Sequence, residues 1–331
     1  MRKSYARVLY DLLITPIKKE ISGKKELIIM PDGPLAFLPF ETLMDEQGTY
    51  LAELYKIRYV QSAAVLTALQ QRKYSDQRKP LLAFGGPVFE ELDPNEGGID
   101  TNTRGIDFNQ LQQSYYKAEE RGGSMRPTYI QMGFTKMTPL PGTIYETNQI
   151  KNIVVGSELY QNDAANENKL KSMASANQLA NYKVLHFATH GWAYSEIPEL
   201  STIVLGQYRT QRGKEDGFLR VPEIEKLNIK ADFVNLSACE TALGRLYSSE
   251  GVVGLTQAFL VAGANSISVT QWTVSDEGTA VFMTEMYRKV FQQRQSYLNA
   301  FAATKIEFIK GKYGEQFQHP NYWGPFVYYG H

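Results

Sequence analysis

The hydrophobic pattern along the chain alternates between helical and strand-like periods. Residues 1–20 place apolar side chains three and four positions apart, which predicts an amphipathic helix. Short apolar runs at residues 27–30, 56–60 and 81–84 predict buried strands, and a helical pattern at residues 65–69 separates the last two. Strands that alternate with helices predict an α/β fold with a mainly parallel sheet covered on both faces.

Residues 90–137 lack this periodicity. Turn-forming compositions at residues 93–98 and 121–124 predict loops. A stretch of this length without regular elements indicates either a mobile insertion or a functional loop. It is also the best candidate boundary, so we predict two halves, residues 1–137 and residues 138–331.

Composition narrows the class of protein. The 331 residues correspond to about two domains or one large α/β unit. Thirty-five basic and 35 acidic side chains give a formal net charge of zero, which argues against a nucleic-acid or membrane-surface partner. A single cysteine forms no internal disulfide and completes no Cys-rich zinc site.

The N-terminal residues do not resemble an export signal or a membrane anchor. The apolar stretch that follows the basic start is broken by Asp11 and has no small-residue cleavage site. We therefore expect a cytoplasmic protein. The chain begins within a helical pattern, which is also expected of a domain cut from a longer protein.

Two strands in the second half run into reactive side chains. Residues 182–189 lead into His190 and Gly191, and residues 231–238 lead into Cys239. In an open parallel sheet, ligand and active sites form beyond the carboxyl ends of the strands. The sequence therefore predicts that the only cysteine and His190 lie close together.

The chemistry of this pair is that of a cysteine peptidase. Cys239 follows His190 by 49 residues, and caspase-type peptidases place the histidine about 50 residues before the nucleophile. The thiolate of Cys239 would attack a carbonyl carbon, and His190 would protonate the leaving amine. The backbone N–H groups of Gly191 and Cys239 are the expected oxyanion donors. No metal or organic cofactor is expected.

Several strings in the sequence are distinctive: IMPDG at 29–33, LPFE at 38–41, VLHFATHG at 184–191, NLSACETA at 235–242, GVVGLTQAF at 251–259 and HPNYWGPF at 319–326. Together they resemble the CHAT family, caspase-like peptidase domains that are often attached to TPR arrays. The resemblance covers nearly the whole chain apart from residues 90–137. The Gln-Ala-Cys-x-Gly motif of true caspases is absent, so aspartate specificity does not transfer.

The resemblance implies a fold, an active pair and partners. It implies a caspase-like three-layer sandwich in which a degenerate caspase-like half, residues 1–137, packs on an active half, residues 138–331. It also implies a His190–Cys239 catalytic dyad and a protein or peptide substrate. A regulatory domain such as a TPR array would lie outside this chain.

Asp276 is the main candidate for substrate binding. The string WTVSD at 272–276 is similar to a Trp-x-Val-x-Asp string of separases, and this resemblance implies an acid that binds a basic side chain before the cleaved bond. The alternative is that Asp276 only caps the helix that starts at Glu277. Glu250 and Asp216 are weaker candidates for the same pocket.

His186 precedes His190 by four residues, a spacing that binds zinc on a helix. On a strand the same spacing separates the two side chains by roughly 13 Å, which is too far for one metal ion. We therefore expect His186 to be a hydrogen-bonded core residue.

Three functions remain open from the sequence. The first is a cysteine endopeptidase that cleaves a protein substrate, with a basic residue before the cleaved bond as one option. The second is a catalytically silent caspase-like module for protein interaction or signalling, and the third is another thiol hydrolase or acyltransferase. If the pocket accepts basic residues, Arg104, Lys117, Arg121 and Arg126 make residues 90–137 a candidate stretch for self-cleavage.

Overall fold

A computed structural model describes six segments of the chain: residues 3–93, 108–121, 124–194, 197–207, 215–237 and 249–331. The strands, in chain order, are β1 (Glu26–Ile29), β2 (Lys56–Tyr59), β3 (Lys79–Pro87), β4 (Glu158–Asn162), β5 (Tyr182–Ala188), β6 (Gly191–Trp192), β7 (Thr202–Val204), β8 (Phe218–Arg220), β9 (Phe233–Leu236), β10 (Ser266–Thr270) and β11 (Phe326–Gly330). The predicted strands at 27–30, 56–60 and 81–84 are confirmed, and so are those that lead to His190 and toward Cys239.

The α-helices are α1 (Lys3–Leu13), α2 (Lys18–Ile21), α3 (Leu51–Leu54), α4 (Ala63–Gln71), α5 (Phe108–Arg121), α6 (Arg126–Gln131), α7 (Pro141–Ile153), α8 (Glu167–Ser175), α9 (Val221–Ile224), α10 (Ser249–Ala262), α11 (Asp276–Phe291) and α12 (Tyr297–Ile309). Several begin where a short polar side chain accepts a hydrogen bond from the first turn. Ser62 accepts from Val65 N–H at the start of α4, and Ser296 accepts from Asn299 N–H at the start of α12.

The main sheet has eight strands in the order β1-β2-β11-β10-β9-β5-β3-β4. Neighbouring strands in it pair in parallel, except that β10 and β11 are antiparallel. The expected α/β class with a mainly parallel sheet is confirmed. The remaining described strands form an antiparallel sheet in the order β6-β7-β8.

Helices cover both faces of the main sheet, as a strand that is buried on both faces requires. In β5, Leu185 and Phe187 belong to one hydrophobic core, whereas Val184 belongs to the core on the opposite face. Helix α10 contributes Phe259 to the first core, and α11 contributes Met286 to the second. The sheet is therefore the middle of three layers.

Residues 108–121 and 126–131, within the stretch predicted to lack regular elements, are helical. Helices α5 and α6 form a third hydrophobic core with the β6-β7-β8 sheet. Tyr129 stacks on Phe218 with ring centroids 3.9 Å apart, and Phe134 stacks on Trp192 at 4.0 Å. The expectation of a structureless insertion is therefore wrong for residues 108–121 and 126–131, because aromatic partners elsewhere in the chain bury these short helices.

The main sheet extends across the predicted boundary at residue 137. Strands β1 and β2 join the sheet beside β11, and β3 lies between β4 and β5. The division into two caspase-like halves stays a prediction. None of the described helices is long and apolar enough to cross a lipid bilayer.

A buried ion pair ties α12 to the first part of the chain. Lys305 Nζ lies 2.8 Å from Glu41 Oε1, and both side chains are 3% exposed. The Tyr59 hydroxyl of β2 donates to the same carboxyl group. Burial lowers the pKa of Lys305. Removing one partner of such a pair leaves a desolvated charge in the interior.

We therefore expect Lys305→Met to lower the free energy of unfolding by about 3 kcal/mol. The double variant with Glu41→Gln should recover part of this loss, because the buried charge is gone. Lys79→Met is the matched control: Lys79 pairs with Glu158 but is 54% exposed, so its loss should cost under about 1 kcal/mol. Urea unfolding measures all three, and equal losses for Lys305→Met and Lys79→Met would contradict the expectation.

Candidate active site

The carboxyl ends of β5 and β9 lie side by side at one edge of the main sheet. The two strands pair in parallel, with Phe187 opposite Leu236, and Ser237 N–H donates to Phe187 C=O at 2.8 Å. The chain beyond β5 leads directly to His190, and the chain beyond Ser237 leads to Cys239. Cys239 itself lies outside the described residues, so its distance to His190 is untested.

His190 is held by a backbone carbonyl. Its ring is 1% exposed, and Nε2 lies 2.7 Å from Thr138 C=O. A carbonyl oxygen only accepts hydrogen bonds, so Nε2 is the nitrogen that carries the proton. In the neutral ring the lone pair is then on Nδ1, which is the nitrogen able to accept a proton.

Aromatic side chains fix the plane of the His190 ring. Trp192 is nearly parallel to it, with ring centroids 6.1 Å apart and an interplanar angle of 6°. The Phe89 ring is tilted by 48° to the His190 ring, and the two ring centroids are 5.0 Å apart. Trp192 belongs to the third hydrophobic core, and Phe89 packs against that core. The orientation of the histidine therefore depends on the helices and strands around residues 108–134.

The backbone of Gly191 suits an oxyanion donor. Val204 N–H donates to His190 C=O, and Gly191 is opposite Ile203 in the antiparallel pair of β6 and β7. This pattern makes Gly191 and Ile203 a non-hydrogen-bonded pair. The N–H of Gly191 therefore points away from β7.

A cleft opens at this edge of the sheet. It is lined by Leu140, Gly142, Thr143, Glu146, His190, Ser237, Thr270, Thr273, Val274, Asp276 and Thr279. Among these lining residues the ionisable side chains are His190 and two carboxyl groups, and none is a lysine or arginine. The cleft is therefore electrostatically suited to a cationic group.

Asp276 is exposed and lies at the first position of α11. The helix is capped by Ser275, whose hydroxyl accepts from Gly278 N–H at 3.2 Å. The interpretation of Asp276 as the cap is therefore wrong. Gly142 makes room for it, because a Cβ at that position would lie 2.5 Å from Asp276 Oδ2.

Glu250 and Asp216 are the two weaker candidates for the substrate pocket. Glu250 lies in the first turn of α10, but its side chain is outside the described residues. Asp216 is half-buried elsewhere: its carboxyl group accepts from Met125 N–H at 2.7 Å and from Phe218 N–H at 3.0 Å. Burial raises the pKa of Asp216. Asp216 organises the third core and is not among the residues that line the cleft.

Sequence analysis missed two contributors. Thr138 acts through its backbone carbonyl. Every residue type has such a carbonyl, so the threonine side chain does not indicate the role. Glu146 is 1% exposed, lines the floor of the cleft and contacts His186 and Ser237. His186 itself is a hydrogen-bonded core residue, as expected. The signal that could have found Glu146 is an acidic residue on the buried face of α7.

One group of carboxylates in the described residues is close enough to bind a metal ion. Glu167, Glu215 and Glu223 place oxygen atoms within 4.8 Å of one another. Lys171 Nζ contacts all three, at 2.8 Å from Glu167 and 2.7 Å from Glu223. The lysine already supplies the positive charge that a metal ion would bring, so we interpret the group as a structural ion-pair cluster.

The sequence is similar to mammalian proteins that are much longer than this chain. It is 22% identical over 366 residues to tetratricopeptide repeat protein 28 of Mus musculus and 22% identical over 361 residues to the protein of the same name from Homo sapiens. These alignments cover 100% and 98% of the chain, respectively. The chain spans about 13% of the length of these curated relatives.

Solved structures of cysteine peptidases show a distant likeness. The Saccharomyces cerevisiae separase–securin complex matches with a TM-score of 0.43 and 15% identity, over 89% of this chain and 14% of that one. The complex of Porphyromonas gingivalis RgpB pro- and mature domains matches with a TM-score of 0.45 and 9% identity, over 96% of this chain and 67% of that one.

The family model of the CHAT domain matches residues 3–331. This range includes both cores of the main sheet, the third core and the cleft. The resemblance read from the sequence strings is thereby confirmed, and the chain belongs to the CHAT domain family.

Proposed function

We propose that the chain is a cysteine endopeptidase with a His190–Cys239 dyad. The observation that carries the proposal is the position of His190. It follows β5, its Nε2–H is bound to Thr138 C=O, and the neighbouring strand β9 leads to the only cysteine. A base that is oriented by a third group beside a nucleophile is the arrangement that activates a thiol.

The proposed reaction has two halves. His190 Nδ1 takes the proton of the Cys239 thiol, and the thiolate sulfur forms a bond to the peptide carbonyl carbon. The N–H groups of Gly191 and Cys239 stabilise the oxyanion. The C–N bond then breaks as the imidazolium returns its proton to the leaving amine. A water molecule hydrolyses the thioester and restores the thiol.

The residue before the cleaved bond is proposed to be basic. Asp276 is exposed in the cleft, Glu146 lies on its floor, and none of the described residues that line the cleft is a lysine or arginine. A guanidinium or ammonium group would form a charge-assisted hydrogen bond with Asp276. Glu250 is proposed as a second contributor, since it follows the segment that carries Cys239.

The partner outside the chain is proposed to be a helical repeat array. The mammalian relatives are tetratricopeptide repeat proteins by name, and this chain corresponds to a small part of their length. Such an array would bring the substrate or restrain the peptidase. A cytoplasmic location stays a prediction.

Replacing either member of the dyad should abolish cleavage. We expect Cys239→Ala and His190→Ala each to lower kcat/KM for a peptide substrate on the order of a thousandfold or more. The assay is cleavage of a peptide library followed by mass spectrometry, with thermal unfolding to show that each variant folds.

Two results would contradict the dyad. Full activity in Cys239→Ala would exclude the thiol mechanism. A folded wild-type protein that neither cleaves nor reacts with an electrophilic peptide faster than free cysteine does would favour the catalytically silent interaction module. A reactive thiol without peptide cleavage would favour another thiol hydrolase or acyltransferase.

Asp276 should set the preference for a basic residue. We expect Asp276→Asn to lower kcat/KM about tenfold or more for substrates with Arg or Lys before the cleaved bond, and to leave neutral substrates nearly unchanged. Gly142→Ala offers an independent check, because the new Cβ would displace the Asp276 side chain. It should produce the same selective loss. Equal losses for basic and neutral substrates would contradict the assignment.

Self-cleavage within residues 90–137 should avoid Lys117 and Arg126. A peptidase binds its substrate in an extended form, but Lys117 lies within α5 and Arg126 begins α6, where its guanidinium pairs with Glu90 at 3.2 Å. Arg104 and the side chain of Arg121 lie outside the described residues. Peptide mapping of incubated active enzyme should show no product that ends at Lys117 or Arg126, and such a product would contradict this.

A further inference from the structure

A group of buried polar side chains lies beneath the floor of the cleft. These side chains come from strands β5, β9 and β10, from the residue after β9 and from helices α7 and α11, and none is more than 4% exposed: Glu146, His186, Asn235, Ser237, Ser268 and Tyr287. We call them the buried polar cluster. Aromatic side chains, including Phe233, Phe282 and Phe326, pack on the same face of the sheet.

Glu146 is the residue on which the two site strands converge. Its Oε1 lies 3.0 Å from Nε2 of His186 in β5 and accepts a hydrogen bond from the hydroxyl of Ser237, which follows β9. On its other side, His186 Nδ1 lies 3.0 Å from the Tyr287 hydroxyl and 3.1 Å from Asn235 Nδ2. One carboxyl oxygen therefore links both strands to α7.

The hydrogen-bond directions in the cluster follow from its members. Asn235 Oδ1 accepts from the Ser268 hydroxyl, so Asn235 Nδ2 faces His186 as a donor. Burial raises the pKa of Tyr287 well above its usual value, so its hydroxyl keeps its proton and can also donate. His186 Nδ1 is therefore the acceptor, and Nε2 is the nitrogen that faces Glu146 Oε1 at 3.0 Å.

The close approach of α7 to β3 fixes where Glu146 can lie. Gly86 has a φ of 56°, and a Cβ there would lie 2.2 Å from Ile144. A Cβ on Gly85 would lie 2.6 Å from Thr147. Because neither glycine has a side chain, this turn of α7 packs closely on β3. Glu146, which lies between Ile144 and Thr147 in the same turn, is thereby held against the sheet.

Stability alone does not explain a buried polar cluster at this position. Apolar side chains of similar volume generally stabilise a core as well as a buried polar network does. Hydrogen bonds differ in being directional, so a fully bonded network specifies one arrangement of the elements it joins. Here those elements are β5, which leads to His190, and β9, which leads to Cys239.

We propose that Glu146 is a positioning residue for the dyad. Glu146 contacts His186, four residues before His190, and Ser237, two residues before Cys239. Through these two contacts it holds the ends of β5 and β9 in the relative position that lets imidazole and thiol meet. This inference rests on the proposed function of His190 and Cys239.

Three variants separate hydrogen bonding from packing. Glu146→Leu keeps comparable bulk and removes the acceptor for both strands. Glu146→Gln keeps an acceptor oxygen. Ser237→Ala breaks the link to β9 alone and leaves the contact between Glu146 and His186. The matched control is Glu167→Leu, which removes an equally buried carboxyl group that bonds Gly217 N–H and Lys171 instead.

The first readout is the alkylation rate of the only cysteine by iodoacetamide, which requires no peptide substrate. We expect Glu146→Leu to react about tenfold or more slowly than wild type, Glu146→Gln to stay within about threefold, and Ser237→Ala to lie between them. Glu167→Leu should stay within about twofold of wild type. With a peptide that has a neutral residue before the cleaved bond, kcat should fall in Glu146→Leu while KM changes little.

The second readout is the ring ¹⁵N NMR signals of the four histidines. In Glu146→Leu we expect the ring signals of both His186 and His190 to move. A folded Glu146→Leu with wild-type alkylation and an unchanged His190 signal would overturn the proposal. Should that variant not fold, Ser237→Ala decides by the same two criteria.

Failure of the proposed function gives a different result. A wild-type thiol that reacts no faster than the thiol of the unfolded chain, with a His190 signal that still moves in Glu146→Leu, would reject the peptidase and support positioning of the strand ends. A wild-type thiol that reacts quickly, with no effect of Glu146→Leu on rate or signal, would support the dyad and reject the role of Glu146.

Discussion

The parallel pairing of β5 with β9 is the constraint on which the site depends. Parallel neighbours end at the same edge of a sheet, so two segments separated by nearly fifty residues emerge side by side. The pairing of Phe187 with Leu236 sets how far each strand extends before it leaves the sheet. His190 and the segment that leads to Cys239 can meet only because this register is fixed.

The two faces of that strand pair serve different purposes. On one face, Leu185, Phe187, Val234 and Leu236 pack with α10 in an apolar core. On the other, the apolar core gives way to polar side chains as the strands approach the cleft. An apolar layer alone would tolerate small shifts of one strand end relative to the other, since dispersion contacts have little directional preference. Polar bonds placed next to the cleft restrict those shifts where they matter most to the chemistry.

The sequence predicted most of the sheet, because its strands are short apolar runs whose periodicity does not depend on tertiary context. It also predicted that His190 follows a strand, since the reactive residue comes directly after such a run. It failed where the signal belongs to the backbone or to distant partners. Thr138 contributes a carbonyl that every residue type possesses, and Ser275 replaces Asp276 as helix cap because several residues near a helix start are able to accept the same hydrogen bond.

The largest departure from the sequence prediction concerns residues 90–137, and it changes what counts as the site. Its turn compositions predicted a mobile insertion or a functional loop, but Phe134 stacks on Trp192, and Trp192 lies parallel to the His190 ring. Phe89 and Thr138, on either side of the stretch, contact the same ring. A ring that is 1% exposed and packed in this way cannot reorient unless these neighbours move with it. The stretch that was predicted as an insertion at the end of the first half therefore includes residues that set the orientation of His190.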